Sequence, residues 1–122
     1  MIICVSSSGN DLQADVDQRF GRCSYFLLID SDTMSFEVLT NEGLIASGGA
    51  GIQAAQQVTK TNAKIVVTGN IGPNAFQTLE AAHMKVITGV KGPIKEIVEK
   101  ILQGELKETN IPNVKSHFGM GK

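Results

Sequence analysis

The most informative stretch of this chain is SGGAG at residues 47–51, which runs into IQAAQQV at residues 52–58. Closely spaced glycines allow positive φ angles and close approach of the backbone to another group. Ala54, Ala55 and Val58 then recur at helical spacing, so the glycine loop is predicted to open an amphipathic helix. A glycine loop at a helix N-terminus presents unpaired N–H groups in front of the positive end of the helix dipole. That arrangement suits an anion; the other interpretation is that the glycines only make a tight crossing.

The composition predicts one soluble globular domain. The chain has 122 residues, of which 42% are hydrophobic and 19% charged, with a net charge of −1. A balance so near neutrality gives no electrostatic reason to expect nucleic acid or an acidic membrane surface as a partner. The first residues, MIICV, enter a strand pattern directly and leave no room for a signal peptide. Cys4 is predicted to pack in the core, and two cysteines in unlike contexts favour the cytoplasm.

The apolar runs predict five strands and three helices. The strands are predicted at residues 2–6, 25–30, 36–40, 63–68 and 86–88, and the helices from the glycine loop to about Thr61, from Pro73 to near His83, and from Ile94 to a stop at Gly104. A turn at residues 31–34 makes the second and third strands an antiparallel hairpin. The later strands alternate with helices, so they pair in parallel through right-handed crossovers. The predicted fold class is α/β, a three-layer domain with a mixed five-stranded sheet in the order β-β-β-α-β-α-β-α.

A second glycine loop, GNIGPN at residues 69–74, follows the fourth strand. Ligands of such sheets bind beyond the carboxyl ends of the strands. We therefore expect both glycine loops to line one shallow site together with the polar segment from Arg19 to Cys23. Positively charged neighbours such as Arg19 and Arg22 would lower the pKa of the Cys23 thiol toward a reactive thiolate. The other interpretation is that the arginines are solvated and the cysteine is half-buried.

Common ligand motifs do not fit this chain. Residues 49–54 match the dinucleotide pattern G-x-G-x-x-A, but they do not lie in the first β-α turn, and no acidic residue follows about twenty positions on. The P-loop lysine and clustered metal motifs such as C-x-x-C are also missing from the sequence. A small anionic metal–sulfide cluster remains compatible with the arginines, the cysteine and the glycine loops. Full coordination ordinarily takes about four thiolates, so binding would be loose and the protein would act as a carrier.

Three segments carry a resemblance to a known family. RFGRCSYF at residues 19–26, GGAGIQAAQ at residues 48–56 and TGNIGPNA at residues 68–75 resemble the dinitrogenase iron–molybdenum cofactor biosynthesis family, the small NifX/NifB-like domains. The resemblance covers residues 1–104. It implies a ribonuclease-H-like fold and binding or carriage of an iron–sulfur or iron–molybdenum cluster or its precursor. It further implies exchange of that cluster with donor and acceptor proteins, and no enzymatic activity.

The resemblance also implies a set of site residues. Relatives often have His-Phe-Gly where this chain has Arg19-Phe20-Gly21, so Cys23 is predicted to be the direct metal ligand. The residues predicted to surround the cofactor are Arg19, Phe20, Gly21, Arg22, Cys23, Gly49, Gly51, Gly69, Asn70 and Gly72. Relatives usually have a glycine at the end of the second helix, where this chain has His83. We expect His83 to be structural, because a cation suits a helix C-terminus.

Residues 105–122 are predicted to form a flexible C-terminal extension. His117 and Met120 are possible soft-metal ligands there, and disordered terminal residues are the other interpretation. Two further functions stay open at this point. One is a regulatory or scaffold domain that binds a protein partner or a small anion without metal. The other is a small hydrolase or redox protein that uses Cys23.

Overall fold

A computed structural model describes residues 1–109 and residue 112. The elements are β1 (Ile2–Ser7), β2 (Tyr25–Asp30), β3 (Phe36–Thr40), a 3₁₀ helix (Glu42–Ile45), α1 (Ala50–Thr59), β4 (Ile65–Val67), α2 (Pro73–Ala81), β5 (Lys85–Ile87) and α3 (Ile94–Leu102). The predicted α/β fold class and element order are confirmed. The 3₁₀ helix lies between β3 and α1, where the sequence pattern predicts neither a helix nor a strand. In this part of the chain, no helix is both long and apolar enough to cross a bilayer.

The five strands form one mixed sheet in the order β3-β2-β1-β4-β5. Strands β1, β4 and β5 are parallel, and β2 runs antiparallel to both of its neighbours, β1 and β3. This is the mixed arrangement expected of the ribonuclease-H-like fold. Four strands therefore end at the same edge of the sheet, which is the edge where ligands of α/β sheets bind.

The sheet separates two apolar layers. In β1, Cys4 faces the layer formed with α1 and α2, whereas Ile3 and Val5 face the layer formed with α3. The helices contribute Ala54, Ala55, Val58, Ala75, Phe76 and Leu79 to the first layer and Ile94, Ile97 and Val98 to the second. Side chains that alternate along buried strands thus fill both layers. The short residues of α1 let this helix lie close to α2 over the sheet.

Two helices end in the same hydrogen-bond pattern. After α2, the amide of Met84 donates to Leu79 O at 3.1 Å, and the amide of His83 donates to Glu80 O at 2.9 Å. His83 has a φ of 62°, the left-handed conformation that this motif needs and that glycine adopts most easily. Gly104 takes the corresponding position after α3 with a φ of 75°, so the predicted stop is confirmed.

The first residues of the predicted C-terminal extension contact the domain. The amide of Thr109 donates to Val86 O at 2.6 Å, and the amide of Thr88 donates to Thr109 Oγ1 at 3.0 Å. Leu106 packs against the layer that contains α3. His117 and Met120 lie outside the described residues, and with them the flexibility predicted for the end of the chain.

Candidate functional site

A cleft of about 520 Å³ opens at the carboxyl edge of the sheet. Three segments form its walls: the loop between β1 and β2, the N-terminus of α1, and the loop from β4 into α2. The lining residues are Gln18, Arg19, Phe20, Gly21, Arg22, Gly49, Ala50, Gly51, Ile52, Asn70, Ile71, Gly72, Pro73, Asn74 and Ala75. The structure thus brings both glycine loops and the arginine segment together.

Both helices begin at the cleft with a glycine as N-cap. Gly49 precedes α1 with a φ of 68°, and Gly72 precedes α2 in an extended conformation. A glycine has no side chain that could accept a hydrogen bond from the N–H groups of the first helical turn. The positive ends of two helix dipoles therefore meet at the same cleft.

The loop glycines serve close packing as much as ligand access. A β-carbon at Gly21 would lie 2.9 Å from the Cα of Gly51, so only a glycine lets this turn rest on α1. Gly69 is different from the other glycines predicted to contact the cofactor. A β-carbon there would overlap the side chain of Gln18, and the Gly69 amide donates to Asp17 O at 3.4 Å. Gly69 is not among the residues that line the described cleft.

The two arginines lie at the rim of the cleft. The side chain of Arg19 is 71% exposed, and its Nε lies 3.7 Å from a carboxylate oxygen of Asp17. Nη1 of the exposed Arg22 donates to Ala46 O at 3.2 Å. Because an exposed ion pair of this length is weak, the guanidinium of Arg19 can turn toward an anion in the cleft.

Cys23 is buried and does not belong to the described cleft lining. Its thiol donates to Phe20 O at 3.3 Å. Burial, followed by the negative charge of Asp17, raises the pKa of Cys23 to about 12. The prediction that Arg19 and Arg22 lower this pKa is wrong, because both guanidinium groups extend into solvent while the thiol is desolvated. Direct ligation by Cys23 remains a prediction of the sequence alone, and it would require the thiol to leave this buried position.

Cys4 packs in the core, as predicted. Burial raises the pKa of its thiol, and the neighbouring Cys23 raises it further. His83, at the far end of α2, is separated from the cleft by the length of the helix, about 13 Å for nine residues.

Asn41 supports the site, but the sequence pattern does not predict this role. Its side chain is buried, and Nδ2 donates to Gly21 O at 3.1 Å and to Cys23 O at 2.9 Å. Oδ1 accepts from the amide of Gly43 at 2.8 Å, which caps the 3₁₀ helix. An asparagine just before a short helix is a recognisable capping signal. The two hydrogen bonds from Asn41 to the turn at residues 21–23 have no comparable signal in the sequence.

Upstream of the arginines, the loop is fixed to the ends of the parallel strands. The hydroxyl of Ser6 lies 2.8 Å from Asp17 O and 2.7 Å from the hydroxyl of Thr68. The amide of Phe20 donates to Asn70 O at 3.2 Å, and Nδ2 of Asn70 donates to Gln18 O at 3.0 Å. These contacts hold the segment that carries Arg19 against the second glycine loop.

The site offers donors to an anion rather than ligands to a bare metal ion. Among residues 1–109 and 112, no group of three or more His, Cys, Asp or Glu side chains is placed to hold a metal ion. The groups that reach the cleft are backbone N–H groups at two helix ends and guanidinium groups at the rim. Both kinds of donor stabilise negative charge without forming a covalent bond to it.

Comparison with known proteins places these features in a family. The family model described as dinitrogenase iron-molybdenum cofactor matches residues 1–104. No curated protein sequence matched the chain.

Solved structures share the fold over nearly the whole chain. The apo form of the orange protein from Desulfovibrio gigas is 37% identical with a TM-score of 0.89, covering 93% of this chain and 96% of that one. A candidate NifB protein from Thermotoga is 30% identical with a TM-score of 0.76, covering 93% and 98%. A candidate dinitrogenase from Methanocaldococcus jannaschii, 18% identical with a TM-score of 0.69 and covering 92% and 97%, shows the fold alone.

Proposed function

Since the chain belongs to the dinitrogenase iron–molybdenum cofactor family, we propose that it binds an anionic cluster of iron–sulfur or iron–molybdenum type, or its precursor. In this proposal the protein carries the cluster and catalyses no reaction on it. The observation that supports it most is the meeting of two glycine-capped helix N-termini and two exposed arginines at one cleft.

The charge and the size of the cleft both suit such a cargo. Each helix N-terminus contributes the equivalent of about half a positive charge, and the arginines add two full charges at the rim. The cleft volume of about 520 Å³ falls within the range of small-molecule sites. The cluster brings its own sulfide ligands, whose negative charge the N–H and guanidinium groups stabilise.

The kind of contact favours carriage. A resident cluster is ordinarily held by about four cysteine thiolates. Cys23 is buried and protonated in the described arrangement, so we assign the direct contacts to the N–H groups and to Arg19 and Arg22. Release to an acceptor protein then breaks hydrogen bonds and ion pairs only. Cluster donors and acceptors, and a cytoplasmic location, are part of the same proposal.

The test is anaerobic loading with two probes. The protein is titrated with tetrathiomolybdate, a soluble anion of molybdenum and sulfide, and is separately reconstituted with ferrous iron and sulfide. Gel filtration followed by visible absorption and analysis of molybdenum, iron and sulfur should show about one bound species per chain. Molybdate, which lacks sulfide, is the matched control anion.

The position of binding is read from amide chemical shifts. The shifts should be largest at Ala50, Gly51 and Asn74, which belong to the first turns of α1 and α2. Absence of molybdenum and iron from the protein fraction would contradict the proposal. Thermal stabilisation by inorganic phosphate without metal uptake would instead support a domain that binds a small anion.

A further inference from the structure

Asn41 joins the turn that carries Arg22 to the 3₁₀ helix through one buried side chain. It lies between the end of β3 and the 3₁₀ helix and is 1% exposed. Both hydrogens of its Nδ2 are used on the turn before β2, by Gly21 O and Cys23 O. Its Oδ1 is used by the amide of Gly43. Both amide hydrogens thus hold the turn at residues 21–23 against the 3₁₀ helix.

The packing around these bonds continues to α1. A β-carbon at Gly43 would lie 2.5 Å from Ala50 O and 3.1 Å from Gly21 O. A β-carbon at Gly21 would lie 2.9 Å from the amide nitrogen of Gly51. The turn, the 3₁₀ helix and the first turn of α1 are therefore in backbone contact, with Asn41 as the side chain that joins the first two.

We infer that Asn41 is a positioning residue for the cargo: its carboxamide holds the turn from Gly21 to Cys23, and with it Arg22, in register with the N-terminus of α1. The inference rests on the proposed function for the identity of the cargo. It adds that the geometry of the cleft depends on a buried amide that does not itself contact the cargo.

The same side chain keeps Cys23 in place. Nδ2 lies 3.6 Å from the Cys23 sulfur as well as 2.9 Å from its carbonyl oxygen. Loss of the amide donors has two separate consequences. The cation at the rim loses its register with the helix, and the thiol of Cys23 becomes accessible to solvent.

The experiment compares Asn41→Asp and Asn41→Ala with the wild type. Asp is as good a helix cap as Asn, so Asn41→Asp keeps the acceptor for Gly43 but cannot donate to Gly21 O and Cys23 O while ionised. Two quantities are measured at pH 8: the affinity for tetrathiomolybdate and the rate at which iodoacetamide alkylates Cys23, located by peptide mass spectrometry. We expect both variants to bind about tenfold more weakly and to be alkylated faster than the wild type.

Val98→Ala is the control for loss of stability alone. Val98 is buried on the opposite face of the sheet, in the layer with α3, so its truncation lowers the melting temperature without touching the cleft. It should leave the affinity and the alkylation rate unchanged at temperatures well below unfolding.

The inference is overturned if Asn41→Ala matches the wild type in either measurement, because the carboxamide donors would then not hold the turn. It is also overturned if Val98→Ala reproduces the effects of the Asn41 variants. Failure of the wild type to bind tetrathiomolybdate would count against the proposed function instead. The alkylation rates, which need no cargo, would still decide whether Asn41 holds the turn.

Discussion

Gly21 and Gly51 are in such close contact that a β-carbon on Gly21 would lie 2.9 Å from both the amide nitrogen and the Cα of Gly51. The contact places the arginine-bearing turn directly on the first turn of α1. Two segments about thirty residues apart in the sequence thereby become adjacent walls of one cleft. The contact requires glycine at position 21, whereas a β-carbon at Gly51 would meet only that of Ala75, at an ordinary van der Waals distance of 3.5 Å.

We expect Gly21→Ala to disturb the cleft and the stability together. The added methyl group meets backbone atoms, which cannot move aside as a flexible side chain could, and such overpacking costs about 1–3 kcal/mol. Denaturant unfolding measures that loss, and titration with tetrathiomolybdate should show weaker binding.

Gly48→Ala is the matched control for this substitution. A β-carbon at Gly48 would meet no other described atom within 4 Å, so its free energy of unfolding should change by less than about 0.5 kcal/mol. Equal effects of the two substitutions would show that the backbone contact at Gly21 is not the cause of the loss in stability and affinity.

The arginines should contribute to affinity through their charge. Replacing Arg19 or Arg22 by Gln removes a charge at the rim and should raise the dissociation constant of tetrathiomolybdate by about three- to tenfold each. For Arg19, whose side chain is 71% exposed, the loss of affinity should lie at the lower end of this range, because solvent weakens interactions between exposed charges. It should shrink at high salt, because exposed charges are screened.

Lys60→Gln is the control for net charge. Lys60 is exposed at the C-terminal end of α1, away from the cleft. An equal loss of affinity in Lys60→Gln would mean that the total charge of the protein, rather than the arginines at the rim, governs binding.

His83→Gly should stabilise the protein. His83 holds a φ of 62° at the end of α2, a conformation that carries a steric cost for any residue with a β-carbon. Removing that cost, less the greater entropy of glycine in the unfolded chain, should leave a gain of about 1 kcal/mol, or roughly 4 °C in melting temperature. His83→Ala keeps the β-carbon and should give no such gain. A stabilisation of the same size in His83→Ala would point to loss of the imidazole instead.

The buried thiols should make stability fall at alkaline pH. Burial raises the pKa of Cys23 to about 12 and raises that of Cys4 as well, whereas an unfolded cysteine ionises near about 8.5. Between these values only the unfolded state loses the thiol protons. The free energy of unfolding is therefore unaffected below about pH 8 and falls above it by up to about 1.4 kcal/mol per pH unit for each thiol.

Denaturant titrations between pH 7 and pH 10 measure this slope. Cys23→Ser keeps a donor for Phe20 O and removes one ionisable thiol, so it should reduce the slope by about half. A variant with the slope of the wild type would show that Cys23 ionises in the folded protein as it does in the unfolded chain.

The sequence predicts the elements of this fold because their signals are local. The apolar spacing of Ile94, Ile97 and Val98 matches one face of a helix, and all three are buried in α3. Leu102 continues the same spacing but is 50% exposed, since the helix ends there and leaves the sheet. The hairpin and the stop at Gly104 have comparable signals within a few residues.

The candidate site is predictable in outline only. Two glycine loops after strands indicate where helices begin, and the topology brings their N-termini to one edge. The protonation state of Cys23 depends on burial by residues far along the chain, which neighbouring arginines do not reveal. The role of Asn41 likewise depends on carbonyl groups about twenty residues earlier, which no spacing rule identifies.

The measurement that tests the account most directly is anaerobic tetrathiomolybdate binding by three forms of the protein. They are the wild type, a Cys23→Ser variant and a double variant with Arg19→Gln and Arg22→Gln. Equilibrium titration gives the affinity, and metal analysis gives the molybdenum content per chain. We expect the Cys23 variant to bind like the wild type and the double arginine variant to bind at least about tenfold more weakly. Loss of molybdenum from Cys23→Ser with full binding by the double arginine variant would contradict the account and identify the thiol as the ligand.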